Sequence, residues 1–274
     1  MGTDFIKKSK YENLLIVDGL NLAFRYKYAN KKGFAPLYVK TIQSLAKSYD
    51  AKRVVILGDG GSTYREAIYS DYKANRKELR AKQTQQESED FQDFLDEFNV
   101  AFELLGLQYD TFRFKGVEAD DIAAYLVKYY KDSFKHTWLI SSDLDWCLLI
   151  DDNVSQFSYT SRKEITMDNW GTHFEYPIEQ HISIKVLMGD KGDNVPGVEG
   201  IGAKRANTIL RDYDTAYDVY ANLPIPSKYK YIQNLNEFGN KLLLNYELMD
   251  LLSYCEEAIG DKNVDKIKEV FNVN

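Results

Sequence analysis

Asp190 and Asp193 stand three residues apart in GDKGDNVPG, and the glycine hairpin VEGIGAKRA follows at once, with Lys204 and Arg205 just behind Gly200 and Gly202. Two carboxylates at that spacing share one face of a turn and can hold a hard cation. A glycine turn running into a helix start points free backbone N–H groups outward, which suits a phosphate. A cation held beside a phosphate is an arrangement for phosphodiester chemistry. Most of the other notable acids fall just after short apolar runs: Asp18 directly after LLIV, Asp59 one glycine after VVIL, Asp143 and Asp145 in the SSDLD loop, and Glu118, Asp120 and Asp121 in GVEADD.

Several carboxylates within about 5 Å of one another repel by roughly 3 kcal/mol per pair at an effective dielectric of 20, so such a set needs protons or cations. An all-oxygen donor set suits magnesium or manganese. The three histidines, His136, His173 and His181, lack metalloprotease spacing, which argues against a dedicated zinc site. The competing reading is structural. An Asp after a strand is commonly a helix N-cap, and Asp120 and Asp121 open a helix whose dipole favours negative charge. Three acids in GVEADD exceed what capping needs, and the D-x-D and D-x-x-D pairs add to them in the same chain.

Upstream, SDYKANRKELR offers Tyr72 as a stacking surface, with Lys73 and Arg76 spaced to face one site from a helix. The hairpin contacts phosphate rather than bases, so it should bind duplex DNA without sequence preference.

The elements that must position these groups are legible in outline. Leu14–Val17, Val54–Leu57, Tyr109–Phe114 and Trp138–Ile140 read as strands, separated by helical patterns such as VKTIQSLAKSY and DIAAYLVKYY. Strand alternating with helix predicts a mostly parallel sheet covered on both faces, with ligands beyond the carboxyl ends of its strands. Between about 64 and 106 lies a long insertion, first basic and then acidic, of the kind that forms lids or binding elements. Phe91, Phe94, Leu95, Phe98 and Phe102 recur in it at helical spacing, and Phe94 and Phe98 are expected in the core. A sheet region over 1–176 and a helical region over 177–274, packed onto it and broken at NLPIPSKYKY, complete the expected organisation.

A net charge of −7 excludes blanket attraction to nucleic acid and requires local basic patches instead. Cys147 and Cys255 fit neither a disulfide framework nor a thiolate zinc site, which suits a reducing, cytoplasmic setting. No apolar run approaches the ~18 residues that span a bilayer, and the first residues lack a signal-peptide core.

With these motifs in hand, the chain resembles the flap endonuclease and 5′–3′ exonuclease family, most closely its free-standing bacteriophage type. The resemblance rests on IVDGLNLAFR, ILGD, YKANR, GVEADD, SSDLDW and GDKGDNVPGVEGIGAKRA, from about Leu14 to about Leu235. It implies a PIN-like core, a helical arch built from the insertion, and a helix-hairpin-helix module that binds potassium through the backbone carbonyls of Val198, Gly200 and Ile201. It implies two magnesium or manganese ions, with Asp18, Asp59, Glu118, Asp120 and Asp121 in the first metal region. Asp190 and Asp193 would form the second, with Asp143 and Asp145 between the two, and Lys73 and Arg76 would contact the scissile phosphate. The implied partner is DNA with a 5′ flap or a single-stranded 5′ end, and the implied protein is a monomer that stands alone, in the host cytoplasm if phage-encoded. A PIN-type ribonuclease and a catalytically silent junction-binding protein are the alternatives. Leu144 and Cys147 depart from the glycine and further acid that phage relatives often carry, which puts the shape of that loop in question.

Overall fold

A computed structural model describes residues 13–272 of the chain. The N-terminal half runs β1 (Asn13–Asp18), α1 (Gly19–Tyr28), α2 (Ala35–Ser48), β2 (Ala51–Leu57), α3 (Thr63–Ile68), α4 (Ala74–Ala81), α5 (Gln85–Gly106), β3 (Asp110–Phe112), α6 (Ala119–Tyr130) and β4 (Thr137–Ile140). It continues through β5 (Val154–Ser158) and β6 (Lys163–Ile165). Helices follow: α7 (His181–Met188), α8 (Ala203–Tyr213), α9 (Ala216–Ala221), α10 (Lys230–Phe238), α11 (Lys241–Met249), α12 (Leu251–Ile259) and α13 (Asp261–Asn272).

The six strands form one sheet in the order β3-β2-β1-β4-β5-β6, parallel except for the last pairing. Alternation along the strands sends side chains to two cores, as a sheet covered on both faces requires. Leu14 and Ile16 of β1 pack with α6, α12 and α13, while Leu15 and Val17 pack with α1, α2 and α5. Each fully buried aliphatic side chain of this kind contributes about 1.5–3 kcal/mol. After β1 the chain turns to β2 on one side, and after β4 it turns to β5 on the other. The crevice between the carboxyl ends of β1 and β4 is therefore the switch point where open sheets bind ligands.

The insertion is half core and half span. In α5 a Thr84–Glu87 capping box fixes the start, and Phe94, Phe98, Ala101 and Leu105 are buried. No residue of α4 is buried. A third core joins α7 to α11 and takes in Val195, Val198 and Ile201 of the glycine-rich segment. Helices α12 and α13, although last in sequence, cover one face of the sheet. Two strands absent from the sequence reading, β5 and β6, extend the sheet past β4.

Candidate active site

Four of the five parallel strands lead into loops that carry the acids to one edge. Asp18 ends β1, caps α1 by accepting from the Asn21 N–H at 3.2 Å, and accepts from Ser141 Oγ at 2.8 Å. Asp59 follows β2 and accepts from the Ala119 N–H at 3.0 Å, so it caps α6 from a neighbouring loop. Glu118 and Asp120 follow β3, and Asp120 Oδ1 accepts from the indole N–H of Trp146 at 2.6 Å. Asp143 follows β4 and accepts from the Asp145 N–H at 2.9 Å. The loop after α7 supplies Asp190 and Asp193; Asp190 Oδ1 accepts from the Gly192 N–H at 2.7 Å and the Asp193 N–H at 3.2 Å. The N-cap role and the clustering are thus compatible in the same residues.

All eight of these carboxylates, Asp145 included, line one cleft of about 670 Å³, together with Lys73, Arg76, Lys77 and Arg80. Another cleft of about 660 Å³, between the α1–α2 connection and α5, contains none of these acids. Burial raises the Asp18 carboxyl to about 8, reinforced by Asp59. Burial also drives Asp120 well above the usual carboxylate range, with Asp143 and Asp59 adding to it. Asp143 sits at the exposed rim, yet partial desolvation and neighbouring Asp145 raise it to about 6.

Basic side chains partition the acids. Glu118 is buried, but its desolvation is outweighed by Arg65, which donates at 2.7 Å, and by Lys73, so its carboxyl lies below the usual range. Lys73 Nζ also lies 3.6 Å from Asp193, and Arg76 pairs with the other oxygen of Asp193. Lys185 of α7 pairs with Asp145 and lies 3.5 Å from Asp190. With these cations interleaved, no three His, Cys, Asp or Glu side chains among the described residues already form a ready coordination sphere. The donor chemistry nevertheless fits divalent ions. Asp18 and Asp120 are held by a hydroxyl, a backbone N–H and an indole rather than by a cation, in a position where their charge is poorly tolerated.

Two sequence readings are corrected. Asp121 belongs to the GVEADD set but turns away from the cleft: both its oxygens are taken by Arg65, at 2.8 and 2.7 Å, and the pair is buried. One helical step of about 100° separates Asp121 from Asp120, enough to send it to the other side. Tyr72 is no stacking platform. Only 3% exposed, it packs with Val195 and Val198, and its hydroxyl donates to Asp193 at 2.8 Å.

Three positioning groups escaped the sequence reading. Arg65 looked like one more charge of the basic insertion but is only 2% exposed and also donates to the Leu248 carbonyl at 2.8 Å. Lys185 is the lone charge in the apolar run ISIKVLM, which was its available signal. Trp146 stands inside SSDLDW, yet nothing in the sequence shows its indole reaching Asp120. In the doubtful loop, Leu144 projects into solvent while Cys147 is buried beside Gln156.

The glycine-rich segment is built by close approach. A Cβ on Gly197 would lie 1.8 Å from the Met188 carbonyl oxygen, so no other residue fits that crossing. Gly200 takes φ +82°, which favours glycine. Gly202 is the N-cap of α8 and leaves its first N–H groups without a side-chain cap, with Lys204 and Arg205 exposed in the first turn. The Gly200 carbonyl accepts from Arg205 at 2.5 Å, and the Val198 carbonyl from the Ile201 N–H at 3.0 Å.

A mostly parallel sheet whose strand ends deliver carboxylates to a cleft edged by basic side chains, with a helix start that has no side-chain cap in the glycine-rich segment, fits a metal-dependent phosphodiester nuclease. The chain belongs to the 5′-3′ exonuclease family, which includes the flap endonucleases: residues 13–175 match its N-terminal resolvase-like domain and residues 176–268 its C-terminal SAM fold. It is 47% identical to the flap endonuclease of Escherichia phage T5 over 268 residues, covering 95% of this chain and 92% of that one. The 5′-3′ exonuclease of Bacillus subtilis is 30% identical over 236 residues, covering 78% of this chain and 75% of the relative.

Among solved structures, a phage T5 flap endonuclease in a pseudo-enzyme-product complex with DNA and metal ions superposes with a TM-score of 0.91. It is 46% identical and covers 94% of this chain and 97% of that one. A T5 5′-exonuclease with bound zinc gives the same TM-score, 0.91, at 47% identity and the same coverage, 94% and 97%. The catalytic core of Rad2, at 14% identity, 94% and 92% coverage and a TM-score of 0.55, shares the fold. No helix among the described residues is long and apolar enough to cross a membrane.

Proposed function

We propose that the cleft hydrolyses a DNA phosphodiester where a single-stranded 5′ end meets duplex, using two magnesium or manganese ions. Asp18, Asp59, Glu118 and Asp120 would serve one ion and Asp190 and Asp193 the other, with Asp143 and Asp145 between them. Such ions supply an activated water and neutralise the leaving oxygen. The observation that carries this reading is the pair of desolvated acids, buried Asp18 and half-buried Asp120, whose carboxyls are both raised and which no side-chain cation pairs among the described residues. The T5 relative, crystallised with DNA and metal ions, supports the same reading.

Lys73 and Arg76 stand at the cleft wall, where their charges would offset the phosphate's during bond exchange. The exposed span of α4 would admit a single strand, giving selectivity for DNA shape without base readout. The first turn of α8, with Lys204 and Arg205, would hold duplex backbone. A potassium ion at the carbonyls of Val198, Gly200 and Ile201 fits the oxygen chemistry once Arg205 has left the Gly200 carbonyl.

The test is a labelled 5′-flap duplex incubated with magnesium or with chelator. Cutting only with magnesium, leaving a 5′-phosphate, is expected; binding in both and cutting in neither would overturn hydrolysis. Asp190→Asn should lower cleavage much more than binding, and equal losses would remove Asp190 from an ion-holding role. A chain that cut an RNA hairpin in preference to the flap would be a ribonuclease instead.

A further inference from the structure

The foot of the arch and the Asp190–Asp193 loop are 120 residues apart in sequence, yet they are joined by a reciprocal pair of asparagines. Asn75 Nδ2 donates to the carbonyls of Lys191, at 2.9 Å, and Gly192, at 3.3 Å. In return, Asn194 Nδ2 donates to the Asp71 carbonyl at 2.8 Å. Between them the Lys73 N–H donates to the Asp193 carbonyl at 2.9 Å. Lys73 and Asn194 both take left-handed backbone, with φ of 55° and 59°, a conformation asparagine adopts readily and lysine seldom does.

None of the hydrogen bonds of Asn75 goes to a carboxylate, and its own Oδ1 accepts from the Arg76 N–H at 2.8 Å. Its two donors are therefore spent wholly on the loop. Immediately beside this join stand the groups that wall the cleft: Lys73 and Arg76 on one strand of the join, Asp193 on the other.

We propose that Asn75 and Asn194 are positioning residues that lock the arch foot to the Asp190–Asp193 loop, so that Lys73, Arg76 and Asp193 are carried as one rigid unit. The lock ends at the first turn of α4, so the solvent-exposed remainder of that helix, which brings Lys77 and Arg80 to the cleft, is not held by it. This inference rests on the proposed roles of Lys73 and Asp193.

Asn75→Asp keeps shape and the acceptor for Arg76 but exchanges the donors to the loop for a negative charge, so Asn75→Ala, which removes the donors without adding charge, is measured beside it and should give the same losses. Asn194→Gly likewise removes the donor while tolerating φ of 59°. Both should lower kcat on the flap substrate roughly tenfold or more, because small misplacement of reacting groups is that costly. Flap-duplex affinity measured in chelator should stay within about twofold, since phosphate contacts at α8 are untouched. Manganese binding, followed by electron paramagnetic resonance, should weaken in the same variants.

In a Lys73→Met background the effect of Asn75→Asp on kcat should shrink to about twofold or less, the non-additivity of residues acting through one another. Unchanged kcat in both asparagine variants, or an equal loss of chelator-state binding, would overturn the lock. If Lys73→Met lowers cleavage while Asn75→Asp has no effect, only the lock fails; full cleavage by Lys73→Met removes the underlying reading as well.

Discussion

Arg65 grips both oxygens of Asp121, at 2.7 and 2.8 Å, while the same guanidinium holds Glu118 at 2.7 Å and the Leu248 carbonyl at 2.8 Å. One buried side chain thus ties α3 to the start of α6 and to the end of α11. Arg65→Met leaves the buried Asp121 without its counter-charge and Glu118 with Lys73 alone, and should destabilise the fold by about 3–5 kcal/mol. Arg65→Lys keeps the charge and loses the fork, so it should fall between the two. Urea unfolding of the three proteins gives the order directly.

Lys185 is a cation already resident between Asp145 and Asp190. Lys185→Met should lower the melting temperature of metal-free protein by a few degrees, on the order of 1–2 kcal/mol of lost pairing for a chain of this size. The same variant should gain more thermal stability from added magnesium than the parent does, because the unbalanced acids then find their counter-charge in solution. A smaller magnesium shift in the variant would contradict the assignment of Asp145 and Asp190 to an ion-holding edge.

The raised carboxyls make metal-free stability depend on pH in an unusual direction. Asp18 is raised to about 8 and Asp143 to about 6, so between pH 4 and those values the folded state keeps protons that the unfolded chain releases. Stability from these groups is full below the unfolded carboxylate range and falls as pH rises, by on the order of 1 kcal/mol per pH unit for a single group. Chemical denaturation of chelator-treated protein at pH 5 and pH 8 should show the loss, and saturating magnesium should abolish it. Calorimetry in buffers of differing ionisation enthalpy should find protons released on magnesium binding.

Lys204→Ala combined with Arg205→Ala removes two exposed charges from the first turn of α8. Duplex affinity should fall, and the slope of log affinity against log salt should become shallower by about 2, at roughly 0.9 per phosphate contact. An unchanged slope places the duplex elsewhere.

The sheet was legible where its strands are buried on both faces, because LLIV, VVIL and WLI carry no polar interruption. VSQFS and KEI lie toward the sheet edge, where polar residues break the pattern, so β5 and β6 escaped notice. The acids of the cleft were legible because a parallel sheet gathers its strand ends without any knowledge of contacts. Asp121 was not separable from Asp120, since its fate depends on an arginine 56 residues away. Tyr72 was misread for a related reason: a tyrosine beside basic residues looks the same whether its ring stacks on a base or its hydroxyl steadies an aspartate across 121 residues of chain.

Trp146 is fully buried, and its indole donates to Asp120 at 2.6 Å. An excited indole responds to the charge beside its N–H, so any change in the ionisation or ligation of Asp120 alters the light this ring emits. With the proposed ions entering at Asp120, Trp146 emission should change on mixing with magnesium in a stopped-flow experiment and the change should vanish in Trp146→Phe, which keeps Trp138 and Trp170; emission that ignores magnesium would remove Asp120 from the ion-holding set.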